Sequence, residues 1–91
     1  MTPDVSGAVA PGFEPVAAAF AEAFSNHDSM GAALAVRVDG KSVVDIWGGV
    51  ADARTSTPWR ESTVSVIFSC TKGLMSILAA KLVQEGRLDY E

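Results

Sequence analysis

Three stretches of this 91-residue chain predict an α+β fold. Two alternating apolar segments joined by Asp39-Gly40 read as an antiparallel hairpin. An amphipathic stretch before them reads as a helix, and a strongly apolar run from Phe68 to Gly86 reads as a second, longer one. At 48% apolar and 20% charged, the chain has globular composition and the length of one domain at most.

Residues Met1 to Gly12 are small and turn-forming with no period to bury, and are expected to be a mobile lead-in. From Phe13 the pattern becomes helical. Pro15 suits a first helical turn, and Val16, Phe20 and Phe24, with Ala19 and Ala23 between them, make one apolar face of a helix ending near Asn26. His27, Asp28 and Ser29 then form a polar turn. His27 is the only imidazole, and its expected role is that of a solvated group at a helix C-terminus, where positive charge is welcome.

The hairpin strands are expected over Ala32 to Val38 and Lys41 to Trp47. Leu34, Val36 and Val38 share a face in the first. In the second, Val44 and Ile46 lie opposite Val43, Asp45 and Trp47. Apolar groups on both faces imply a sheet covered by helices on either side. Asp45, the odd residue in that strand, is expected as an edge or cross-strand charge partner, for example to Arg37. Gly48 and Gly49 suggest a bend or a close approach of another backbone, and Ala51 to Thr63 has loop chemistry, with Trp59 expected to cap one edge of the core in preference to lining a substrate cleft. Val64, Val66 and Ile67 make a short extended approach to the long helix.

In that helix Leu74, Leu78 and Leu82 recur every four residues, and Met75, Ile77, Ala79, Ala80 and Val83 fill most of the remaining circumference. Gly86 is its stop signal. Such a helix needs neighbours on nearly all sides, which one hairpin and one amphipathic helix cannot supply. Residues 13–91 are therefore expected to be the N-terminal part of a larger domain, incomplete alone and completed by a complementary C-terminal chain or segment.

The first turn of the helix carries the chemistry. Ser69 and Lys72 are three residues apart and share one face, where free backbone N–H groups also point. A serine hydroxyl is a poor nucleophile unless a base lies within hydrogen-bond reach. Lys72 can be that base when uncharged, a form favoured by apolar surroundings and by the positive end of the helix dipole. The Ser69 backbone N–H could stabilise the developing oxyanion. The competing reading makes Ser69 a helix cap and Lys72 a solvated first-turn residue, but a lysine there opposes the dipole. Cys70, turned about a hundred degrees away round the helix, is expected as a small packed residue.

Composition excludes several classes of function. With seven Lys and Arg and a net charge of −4 there is no basic stripe for nucleic acid and no polybasic membrane anchor. The opening MTPDVSGAVAPGFEP has an acid and three prolines where a secretory signal would have a positive start and an apolar run, so a cytoplasmic location is expected. A single cysteine agrees with a reducing compartment, and one His with one Cys does not make a metal site of usual spacing. No stretch is apolar enough to span a bilayer, and no cofactor is called for.

The runs VRVDGKSVVDIWGGVAD and FSCTKGLMSILAAKLVQEGRLD, with the Thr63 region between them, resemble the N-terminal part of the serine β-lactamase and penicillin-binding-protein superfamily. The nearest likeness is to class C β-lactamases and the related family VIII carboxylesterases, and it covers roughly Phe13 to Asp89. The resemblance implies that the S-x-x-K serine, here Ser69, is acylated and that Lys72 helps deprotonate it. It implies a β-lactamase/transpeptidase-like domain, in which an antiparallel sheet flanked by helices packs beside an all-helical region beginning at the Ser69 helix. In that family a tyrosine of a Y-x-N type motif shares the base work, and a late strand gives the second oxyanion N–H. Both come later than the residues matched here, and Tyr90 is not in the place of that tyrosine.

The expected function is a serine hydrolase cleaving small-molecule carboxylic esters, or amides, through an acyl-Ser69 intermediate with Lys72 as general base. β-Lactamase, D-Ala-D-Ala peptidase or acyltransferase activity is the alternative within the superfamily. A catalytically silent binding or scaffold domain, or a regulatory fragment that pairs with its complement, is the alternative outside it.

Overall fold

The computed structural model describes residues 5–24 and 30–91; Asn26, His27, Asp28 and Ser29 lie outside the described residues. The elements in chain order are β1 (Val5–Val9), α1 (Glu14–Glu22), β2 (Gly31–Val38), β3 (Lys41–Asp52), β4 (Thr57–Pro58) and α2 (Cys70–Gln84). β1, β3 and β2 lie side by side in that order, all antiparallel, and β4 pairs with β3.

The hairpin forms as its sequence demands. Asp39 and Gly40 take φ of 51° and 75°, the two left-handed residues of a type I′ turn, and Val38 sits opposite Lys41. Leu34 and Val36 pair with Ile46 and Val44, so their apolar side chains share one face. An irregularity after Val36 sets Arg37 opposite Ser42, and the Arg37 Nη1 donates to the Gly40 carbonyl at 3.2 Å. The expected Asp45–Arg37 pair does not form. Asp45 is on the central strand, between Ala8 and Ala35, and exposed.

The segment expected to be a lead-in contributes a strand. Val5–Val9 pairs with the β3 edge that β2 leaves open, with Val9 opposite Val44 and Val5 opposite Gly48. An open edge of N–H and C=O groups recruits even a weakly patterned segment, because the ladder bonds do not depend on side-chain period.

The core is small: Phe24, Val44 and Ile46 are 4%, 1% and 3% exposed. Val44 and Ile46 project from one face of β3, whereas Ser6, Ala8, Ala33, Ala35 and Asp45 of the opposite face are exposed. Among the described residues the sheet is thus covered on one side only, not on both as expected. Helix α1 begins at Glu14, whose carboxylate accepts the Gly12 N–H at 2.8 Å, and has Pro15 in its first turn. Val16 and Phe20 are half-buried, Ala19 and Ala23 exposed, and the Phe20 and Phe24 rings meet edge to face with centroids 5.1 Å apart. Truncation of Phe24 to alanine should cost about 3–5 kcal/mol, read as a lowered thermal midpoint of the whole protein.

β3 is longer than its sequence suggested. It runs through Gly48 and Gly49 to Asp52, because the Gly49 carbonyl accepts the Trp59 N–H at 2.9 Å and the Val50 N–H reaches the Met30 carbonyl at 3.0 Å. Trp59 is half-buried against Gly31, which agrees with a cap on the edge of the sheet. Residues Val64, Val66, Ile67 and Phe68 follow as exposed, irregular chain.

Helix α2 ends as Gly86 predicts. Gly86 has φ of 73°, its N–H reaches the Val83 carbonyl at 3.0 Å, and the Arg87 N–H reaches the Leu82 carbonyl at 2.9 Å, a Schellman motif. The apolar body of α2 has no cover among the described residues: Leu74, Met75, Ile77 and Leu78 are 53%, 63%, 65% and 58% exposed. The radius of gyration, 17.1 Å, exceeds the value of about 12 Å for a compact domain of this length. No helix among the described residues is long and apolar enough to cross a membrane.

Candidate active site

The chain enters α2 through an uncommon backbone conformation. Phe68, a residue with a bulky side chain, has φ of 32°, and such left-handed placements cost about 1–2 kcal/mol for residues bearing a Cβ. Beyond it, Ser69 is already helical, with φ of −67° and ψ of −5°. The carbonyls of Ile67, Phe68 and Ser69 accept the N–H groups of Cys70, Thr71 and Lys72 at 2.9, 3.1 and 3.0 Å.

These turns decide what Ser69 does. A capping serine is normally extended, and its hydroxyl accepts an unpaired N–H two or three residues on. Here the Thr71 and Lys72 N–H groups are taken by backbone carbonyls, and the Ser69 side chain makes no capping bond. The reading of Ser69 as an ordinary helix cap is therefore excluded by its geometry. The Ser69 N–H donates to no backbone carbonyl among the described residues.

Ser69 and Lys72 line one open hollow of about 450 Å³ together with Phe68, Thr71 and Met75. The sequence-predicted pair is thus brought to a common surface, although no hydrogen bond among the described residues joins the two side chains and both residues are exposed. The one ion pair among the described residues, Arg54–Asp52 at 3.3 Å, leaves Lys72 without a carboxylate partner, and the first turn of α2 holds no acidic residue. The apolar cover expected over Lys72 is absent here because the α2 body itself is bare. For the same reason Cys70, expected to be packed, is exposed.

Thr71 and Met75 as walls of the hollow were not singled out from the sequence. The spacing Phe68, Lys72, Met75, in steps of four and three, marks them as one helix face. The Phe68 backbone angle had no sequence signal, since left-handed residues are usually Gly, Asn or Asp. Trp59 is not among the residues of the hollow.

Comparison with known proteins agrees with this local architecture. Residues 16–91 match the family model described as Beta-lactamase. The chain is also 41% identical over 87 residues to the esterase/beta-lactamase LipL of Mycobacterium tuberculosis H37Rv, covering 96% of this chain and 20% of that protein. With an antiparallel sheet, two helices and the S-x-x-K serine at the start of the second, this α+β chain belongs to the beta-lactamase family.

Proposed function

We propose that this chain carries the nucleophile and general base of a serine hydrolase acting on carboxylic esters. The Ser69 hydroxyl attacks the ester carbonyl while its proton passes to the Lys72 amine. The tetrahedral oxyanion collapses, the alcohol leaves with the proton from Lys72, and water then releases the acid and restores Ser69. The Ser69 N–H is one donor for the oxyanion. The observation that supports this reading is the Ser69 hydroxyl, uncommitted to capping, sharing a hollow with a lysine that has no ionic partner among the described residues.

The remaining machinery, a second oxyanion donor and a tyrosine that assists the base, is assigned to a complementary part of the domain packed on α2. The bare side chains of Leu74, Met75, Ile77 and Leu78 support such a partner surface, since burying each would contribute roughly 1.5–3 kcal/mol. Packing there would also desolvate Lys72, as a neutral amine base requires. A cytoplasmic location is the companion proposal, supported by a single, free cysteine and checked by cell fractionation.

Labelling the whole protein with a fluorophosphonate and mapping the modified peptide tests the proposal. The label should sit on Ser69, and a label elsewhere, or none, would refute it and favour a silent scaffold. Lys72→Ala should slow acylation by about 10²–10⁴-fold, and Lys72→Arg should do no better because a guanidinium stays protonated. β-Lactam hydrolysis is the second reading, supported by the name of the mycobacterial relative. Turnover of a chromogenic cephalosporin faster than of a p-nitrophenyl ester would place it first.

A further inference from the structure

β1 is the element that the Ser–Lys chemistry does not use, and it lies ahead of residues 16–91, the ones shared with the family. It runs along the edge of β3 that β2 leaves open, with Val9 opposite Val44, Gly7 opposite Ile46 and Val5 opposite Gly48. Its side chains give it little anchorage. Ser6, Gly7 and Ala8 are exposed and Val5 and Val9 only half-buried, so β1 is held chiefly by its ladder bonds, which the Ala10 N–H extends by donating to the Val43 carbonyl at 2.8 Å.

One position makes the edge selective. Gly7 has φ of 103°, and a Cβ there would fall on the Asp45 carbonyl oxygen and within 2.9 Å of the Ile46 Cα. Both atoms are backbone of the central strand, which is tied to β2 on its other side and cannot withdraw. In this register the β3 edge therefore accepts an extended segment that brings glycine opposite Ile46 and refuses one that brings a side chain there. The joint between β1 and α1 is short and local. The Phe13 N–H closes a turn on the Ala10 carbonyl at 3.0 Å, with Gly12 at φ 94° in open space. Opening this turn releases β1 while the β2–β3 ladder stays in place.

We propose that Val5–Val9 is an exchangeable donor strand, and that the β3 edge of one copy of this chain takes it from a second copy, joining the two by mutual exchange. A strand from the second copy makes the same ladder bonds as the resident one, so the two arrangements differ in conformation only at the short hinge of residues 10–13. The glycine requirement names the partner. A second copy brings V-S-G-A-V in the register that the edge already accepts. The inference is independent of the hydrolase reading of Ser69.

Two preparations of the whole protein, one carrying Ala8→Cys and the other Asp45→Cys, test the exchange. Positions 8 and 45 face each other in the ladder and are exposed, and here they sit in different copies. Incubated together and treated with a short bismaleimide, the preparations should yield a dimer whose mapped link joins positions 8 and 45, in a share that rises with protein concentration. Adding Gly7→Val to the Ala8→Cys preparation should lower that share at least about tenfold. No such link at any concentration would overturn the proposal. So would an equal yield with Gly7→Val, which would show contact without strand insertion.

The acceptor edge is tested separately with the whole protein lacking residues 1–12 and a fluorescent peptide of residues 1–12. The peptide should bind saturably by fluorescence anisotropy, and its Gly7→Val form at least about tenfold more weakly. Peptides that bind equally well, or not at all, would overturn the glycine-selective edge. Should the shortened protein fail to fold, the cross-linking comparison decides alone.

Discussion

Ser69→Ala in the whole protein is expected to abolish fluorophosphonate labelling and to lower ester turnover by on the order of 10⁴-fold or more, the loss seen when a covalent nucleophile is removed from its unit. The expectation is that large because no other hydroxyl replaces it. Thr71 lines the same hollow but is adjacent to Lys72 in the chain, not at the three- or four-residue spacing that sets a hydroxyl above the amine on one helix face. Folding should be unaffected, since Ser69 is exposed and caps nothing, so thermal midpoints of variant and parent should agree. That last point discriminates. A serine that served only as a helix cap would lower stability by about 1 kcal/mol on truncation and leave turnover intact. Cys70→Ala is the companion control: its thiol is exposed but outside the hollow, so labelling should persist.

Gly49→Ala is expected to cause a large loss of stability. Gly49 has φ of 80°, and a Cβ there would meet the Met30 carbonyl oxygen at 2.1 Å and the Phe24 ring at 2.8 Å. The first contact is with backbone in the sheet, and the second is with a core side chain, so neither can withdraw cheaply. Conformational strain of about 1–3 kcal/mol and overpacking of similar size should together lower stability by roughly 2–6 kcal/mol. Gly12→Ala separates the two terms. Its φ is 94° and nothing lies within 4 Å of the new Cβ, so only strain should register. Thermal melts of the two variants in the whole protein measure the difference. Equal midpoints would show that the close approach of β2, β3 and Phe24 contributes nothing.

The expectations that failed did so where long-range pairing or cover mattered more than local pattern. Val5–Val9 has no strand period, yet the free edge of β3 captures it. Asp45 looked like an edge charge because β3 looked like half of a lone hairpin. With β1 in place, β3 is central and Asp45 stands between two alanines. Cys70 and the flanks of Lys72 were expected to be packed because the helix is apolar almost all round. Among the described residues that apolar surface has no partner, so pattern announced burial that these elements do not supply.

Local chemistry was written in the residues themselves. Asp39-Gly40 specifies a two-residue turn, Gly86 specifies a helix stop, and the Ser69–Lys72 spacing puts hydroxyl and amine on one helix face whatever surrounds them. These follow from interactions within a few residues, where backbone sterics and helical period leave few choices. The third strand and the partners of the close approach at Gly49 needed the tertiary structure. Each is held by hydrogen bonds or contacts whose partners the local sequence does not name.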